Sequence, residues 1–312
     1  MKIMITGGFG FVGSHLCDAL LKDKHELIIL TRSYSKKNNI KHIQKKIIIE
    51  KIDVTNFKKL KTSIEKNKPD VIIHLAGETS HSKSFENPIR DIELNAKSTL
   101  YILEIIRTLN LKCRFILGST FIVIGKPTKL PINEESPCNP NTIYGTNRLA
   151  SEHYSKIYNK MYGLDTIIFR ITNSYGPREQ YVLGKNAINY LLYRSYKGEK
   201  ISLYDKGKTI RDLIYISDVV SGIKTIMKKG KPGELYWISS YQKTSLYKIG
   251  QLLKKYTNTV VSYVESPSYA RKVDVGNFIV DNKKLKSLGW KPKVSINKGI
   301  QYTLNYFQSV NL

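Results

Sequence analysis

Cysteine is scarce in this chain of 312 residues: Cys17, Cys113 and Cys138 are all it has, with neither metal-site nor redox spacing. So small and odd a number excludes a disulfide framework and suits a reducing compartment. Acidic residues are also few, 25 against 51 Lys and Arg, for a formal net charge of +26. That balance points to nucleic acid, an anionic membrane surface or an anionic small substrate. The cations are scattered in pairs such as Lys36-Lys37, Lys58-Lys59 and Lys228-Lys229. No zinc-finger spacing or aromatic RNA-binding motif accompanies them, which argues against nucleic acid and leaves a general attraction for phosphates. No apolar run approaches the roughly 18 residues of a membrane span. The first apolar stretch begins at Lys2, which leaves no room for a signal peptide. A cytoplasmic protein with no membrane span is expected.

What is present is an alternation of strands and helices. Residues 2–6 (KIMIT) form a short apolar run that breaks into Gly7, Gly10 and Gly13, with Phe11 and Val12 between, before helical periodicity over 14–22. Strand, glycine loop and helix together make a phosphate-binding reading specific: the glycines let the backbone approach a pyrophosphate, and the helix N-terminus supplies N–H donors. Further strands are read at 26–30, 46–52, 71–75, 114–117 and 165–170, with helices at 57–66, 89–109, 144–162 and 185–196 and a strand at 200–204. Near-continuous apolar strands separated by helices predict an α/β fold, a Rossmann-type doubly wound parallel sheet.

In the helix over 144–162, Tyr144 precedes Arg148 by four residues, so the two share a face about 5–6 Å apart at Cβ. A cation there is expected to draw a phenol below its ordinary value of about 10.

With the glycine loop, His74-Leu75-Ala76-Gly77 (compare H-L-A-A), Tyr144-x-x-x-Arg148 (compare Y-x-x-x-K), Arg170-x-x-Asn173-x-Tyr175-Gly176-Pro177-Arg178, Arg211-Asp212-Leu213-Ile214-Tyr215 and Leu288-Gly289-Trp290-Lys291-Pro292, the chain resembles the extended short-chain dehydrogenase/reductase family along nearly its whole length. Its members include nucleotide-sugar epimerases and dehydratases. The resemblance implies a dinucleotide held by Gly7, Gly10, Phe11, Val12, Gly13, Thr31, Arg32, Asp53, Val54, Leu75, Ala76, Gly77, Asn95, Tyr144, Arg148 and Tyr175. It implies catalysis by Thr120, Tyr144 and Arg148, and a nucleoside-diphosphate sugar contacted by Thr79, Thr120, Asn173, Arg178 and Arg211. Residues 1–170 would form the nucleotide-binding domain, with some later segments returning to it, and 171–312 mainly a small C-terminal substrate-binding lobe.

Further expectations follow from the resemblance. The second strand ends in Thr31-Arg32-Ser33 rather than in a carboxylate that would accept from NAD ribose hydroxyls, which favours NADP over NAD. Thr120 is followed by Phe121-Ile122, where sugar 4,6-dehydratases carry Asp-Glu, so epimerisation by hydride transfer is expected before dehydration. Arginine at 148 keeps the charge of the motif lysine with a different shape; a 4-ketosugar reductase and a binding protein without catalysis stand as the alternatives. Homodimerisation would use the helices over 92–109 and 144–162, with Leu100, Leu103, Ile106 and Leu109 on the first. Asp218 is expected to cap a helix, and Trp290 to pack.

Overall fold

The computed structural model describes residues 1–181 and 186–310. Its strands are β1 (Lys2–Thr6), β2 (Glu26–Thr31), β3 (Ile48–Lys51), β4 (Val71–His74), β5 (Arg114–Thr120), β6 (Thr166–Ile171), β7 (Asn173–Tyr175), β8 (Ile201–Tyr204), β9 (Ile210–Tyr215), β10 (Leu235–Ile238), β11 (Lys243–Ser245) and β12 (Val261–Val264). The helices are α1 (Phe11–Lys22), α2 (Phe57–Asn67), α3 (His81–Glu86), α4 (Pro88–Ile92), α5 (Ser98–Thr108), α6 (Ile143–Tyr162), α7 (Ala187–Tyr196), α8 (Ile216–Lys229), α9 (Leu246–Thr257), α10 (Ser268–Val273), α11 (Lys283–Ser287) and α12 (Ile296–Ser309). Lys185, where the seventh helix was expected to start, lies outside the described residues.

Period-two alternation inside isoleucine-rich strands divides the core. Ile3, Ile5, Ile29, Ile73 and Ile116 face one cluster, whereas Met4, Ile28, Leu30, Ile72, Phe115 and Leu117 face the other. A strand buried on both faces needs helices on both, and short βαβ crossovers supply them. The result is a parallel seven-stranded sheet of order β10-β6-β5-β4-β1-β2-β3. Strand order reverses between β1 and β4, which opens a crevice at the carboxyl ends of those strands. A cut at residue 170 would take β10 from this sheet; the later half adds the small sheet β11-β9-β7 and the parallel pair β12-β8.

Two elements differ from expectation. The stretch before β3 forms 3-10 turns over Lys37–Lys46, so that strand is shorter than expected. The helix expected over 89–109 is α4 and α5 joined by a π-helical turn, Glu93–Lys97. Helix α6 runs for 20 residues from a Thr142 cap, whose side chain accepts from Gly145 N, to Gly163 in the left-handed region (φ 66).

Candidate active site

The glycine loop lies at the mouth of the crevice. Gly7 has φ +75, and a Cβ on Gly13 would lie 2.3 Å from Gly7 O, so both positions need glycine for the loop to fold back on itself. Gly10 N–H donates to Gly7 O at 2.9 Å, and α1 starts at the next residue, with Phe11 buried and Val12 partly so. Its N-terminus therefore opens on the loop. At the end of β2 the Thr31 hydroxyl donates to Ser33 O (2.7 Å). Arg32 is exposed and lines a cleft of about 220 Å³ with Glu78, Lys83 and Arg90. Val54 is buried, and Asp53 accepts from Thr55 through one carboxylate oxygen and from Arg90 Nη2 (2.7 Å) through the other.

Past the crevice, a directional chain of hydrogen bonds holds the strand ends. Ala76 N–H donates to Thr6 Oγ1 (3.1 Å), which lies 2.7 Å from His74 Nδ1. On the other ring nitrogen, His74 Nε2 lies 3.1 Å from Ser98 Oγ, whose own proton goes to Leu94 O. Ser98 having spent its proton, Nε2 is the donor, and in the neutral ring that burial favours Nδ1 is then the acceptor. Burial first, and Arg148 second, push its pKa down to about 3. Leu94 belongs to the π turn, and so does Asn95, which is fully buried. Asn95 Nδ2 donates to Asp91 Oδ2 (3.0 Å) and Glu78 O (3.1 Å).

The three residues expected to react meet at the end of β5. Thr120 hydrogen-bonds the Tyr144 phenol, with Arg148 acting on the same group. Tyr144 is 6% exposed and Arg148 5%. Arg148 Nη2 donates to Gly118 O, while Nε and Nη1 are buried without a protein partner, as is Asn95 Oδ1. The expected downward shift of the tyrosine is reversed. Burial raises its pKa and outweighs the opposing pull of Arg148 and Thr120.

Asp91, Asn147 and Glu152, behind these side chains, escaped the sequence reading. Asp91 Oδ1 accepts from Asn147 Nδ2 (2.7 Å), so one carboxylate joins the π turn to α6. Glu152 accepts from Ser119 Oγ (2.5 Å) and pairs with Arg170 (2.6 Å), both charges being buried. Arg170 in turn lies over the Trp237 ring. A signal existed for Glu152: 144, 148 and 152 make one polar row at i, i+4, i+8 on a helix.

On the side expected to take substrate, Asn173 opens β7 with a buried Oδ1 lacking a protein partner. Register places it opposite Leu213, two residues beyond Arg211, and β5 sets Thr120 beside Ile171. Thr120, Asn173 and Arg211 are thus brought to one end of the fold. Arg211 is already engaged, donating to Asp274 (2.5 Å) and to Gly276 O. Arg178 pairs with Asp18 of α1 at 2.7 Å, and Thr79 is exposed beside Glu78. The Tyr175 ring is core: it packs on Tyr215, and its hydroxyl faces Gly299, so only its backbone is left for a ligand. Asp218 does not cap α8. It is that helix's third residue and accepts from Lys293 N and Val294 N, clamping the chain before α12. Trp290 packs as expected, its Nε1 donating to Ser221 Oγ.

The residues fit a dinucleotide: the loop is a cradle that a Cβ would fill, and Arg148 and Asn95 keep buried donors and an acceptor without a protein partner. The family profile described as GDP-mannose 4,6 dehydratase matches residues 4–303. A protein of Methanocaldococcus jannaschii provisionally named UDP-glucose 4-epimerase is 30% identical, over 99% of both chains. The structure of the Thermotoga maritima UDP-glucose 4-epimerase with UDP-glucose superposes with a TM-score of 0.92, at 28% identity over 100% of both chains. That of the Thermus thermophilus UDP-glucose 4-epimerase with NAD does so with 0.89, at 25% identity over 99% of both.

Proposed function

Because this chain belongs to the extended short-chain dehydrogenase/reductase family of nucleotide-sugar epimerases and dehydratases, we propose that it is an NAD(P)-dependent nucleotide-sugar 4-epimerase acting on a UDP-hexose. The observation that carries the reading is the Thr120–Tyr144–Arg148 cluster, followed by the apolar Phe121-Ile122 pair. Thr120 holds the sugar oxygen that alternates between alcohol and ketone, and Tyr144 takes and returns its proton. Arg148 stabilises the phenolate that takes that proton. The dinucleotide, when bound, supplies the acceptor and donor of hydride. Dehydration needs further acid and base groups on the sugar, and the side chains of Phe121 and Ile122 offer none. Arg32 and the missing carboxylate at the end of β2 support NADP as the preferred form, and they favour a second reading, an NADPH-dependent 4-ketosugar reductase. Exposed apolar residues on α4 and α6 support a homodimer.

Incubating the purified protein with UDP-glucose and no added cofactor separates these readings. UDP-galactose should accumulate, and Tyr144→Phe should slow the reaction by about 10²–10⁴-fold. Conversion that depends on stoichiometric NADPH would favour the reductase, and undiminished turnover in Tyr144→Phe would overturn the acid/base assignment. Mass spectrometry of any co-purified dinucleotide tests NADP against NAD.

A further inference from the structure

Two loops from opposite halves of the chain are held by one side chain. Asn39, in the 3-10 turns that precede β3, donates from Nδ2 to Phe9 O (3.0 Å) and to Arg178 O (3.2 Å). Both partners are carbonyl oxygens, which only accept, so the amide must present its two protons, one to each loop. Phe9 lies inside the glycine loop, and Arg178 ends the turn Tyr175-Gly176-Pro177-Arg178 that leaves β7.

Each donation fixes a piece of backbone. The peptide between Phe9 and Gly10 is pinned at both ends, its carbonyl by Asn39 and its N–H by Gly7 O (2.9 Å). That peptide leads directly into α1, whose first N–H groups have no partner within the helix and are the donors a pyrophosphate would use. Arg178 is left-handed (φ +68), a conformation that residues other than glycine rarely adopt and that persists where the surroundings impose it. Here three holds impose it. His15 Nε2 donates to Pro177 O (3.1 Å), the Arg178 guanidinium pairs with Asp18 (2.7 Å), and Asn39 takes Arg178 O. Of the three, it is Asn39 that also grips the glycine loop.

We propose that Asn39 is a positioning residue of the dinucleotide site, a clasp whose amide sets the Phe9–Gly10 peptide and ties it to the turn after β7. The proposal rests on the dinucleotide reading above. It makes the left-handed turn part of what aims the pyrophosphate donors. A disturbance at the Arg178 side chain then reaches the dinucleotide through Asn39, and only while that amide is present.

Two variants and their combination test the clasp. Dinucleotide affinity is read by calorimetric titration with NADP and NAD, and backbone deuterium exchange by mass spectrometry of the protein without added dinucleotide. Asn39→Asp keeps the shape of the side chain but has no proton to give at neutral pH. It should weaken dinucleotide binding about tenfold or more and speed exchange over both 7–13 and 175–181. Arg178→Ala, which removes the pair with Asp18, should weaken binding about threefold in the native background and have no effect in Asn39→Asp. Native affinity in Asn39→Asp, faster exchange in one segment alone, or an equal effect of Arg178→Ala in both backgrounds would overturn the proposal. If Asn39→Asp does not fold, Asn39→Ala takes its place with the same expectations; failure of both to fold would make the amide a general requirement of the fold and overturn the proposal as well. If the unsubstituted protein binds neither dinucleotide, the cofactor reading fails, and the exchange of the two segments decides the clasp by itself.

Discussion

At the scale of residues, Thr120, Tyr144 and Arg148 are backed by a pair of buried charges. Glu152 is on the helix that carries Tyr144 and Arg148, Arg170 is on β6, and Ser119 links them to the strand end that carries Thr120. Taking a carboxylate and a guanidinium out of water is costly, and their attraction offsets that only while both are present with their hydrogen bonds satisfied. Arg170→Met would leave Glu152 as an uncompensated buried charge. A loss of about 3–5 kcal/mol is expected from urea unfolding at neutral pH, and a loss below about 1 kcal/mol would mean that the pair is not what joins these elements. The upward shift of Tyr144 belongs to the same scale. Arg148 was visible four residues along the helix, but the depth of the phenol was not, and burial set the sign.

At the scale of elements, His74 holds β1, β4 and the π turn in one register. Its neutral ring makes the register sensitive to acid. Unfolded histidine takes a proton near pH 6.5, whereas His74 in the fold resists until about 3. Between those values the unfolded state binds the extra proton, so stability is fully present above about 6.5 and falls as pH drops towards 3, by roughly 1.4 kcal/mol per pH unit. His15, lowered to about 4 by burial first, adds in the same direction. Replacing His74 by glutamine should flatten the dependence of unfolding free energy on pH between 6 and 4 by about one proton; an unchanged slope would show that the ring protonates within the fold. Six strands of the seven-stranded sheet were legible, because alternating isoleucines in β1, β2 and β4 mark both faces as buried; β10 was not read. The π turn was not, because Glu93–Lys97 has an ordinary helical pattern. Asn147 and Ser151 reach Asp91 and Asn95 at that turn only through contacts 56 residues apart in the chain. Asp218 misled for a related reason: its position suits a cap, but its partners lie 75 and 76 residues away.

At the scale of the molecule, two surface properties oppose one another. A net charge of +26 repels a second copy and attracts diphosphates. Against it stands an apolar face on the packed helices, though not the one expected. Leu103 and Ile106 are interior, whereas Ile89 (71% exposed), Met161 (67%), Ile157 and Ile92 are outside. Lys97, Lys156 and Lys160 are exposed on the same elements, so two such faces can meet only if apolar burial outweighs their repulsion. Repulsion between exposed charges is screened within about 10 Å at 0.1 M salt, and burial is not weakened by that screening. Dimerisation should therefore strengthen with ionic strength, the reverse of binding between a basic protein and an anionic partner. Sedimentation at micromolar concentration is expected to show a dimer whose dissociation constant falls between 0.05 and 0.5 M salt, on the order of severalfold. Met161→Glu should yield monomers by placing a charge in that interface. A monomer at every salt concentration, or a dimer indifferent to Met161→Glu, would place the partner surface elsewhere.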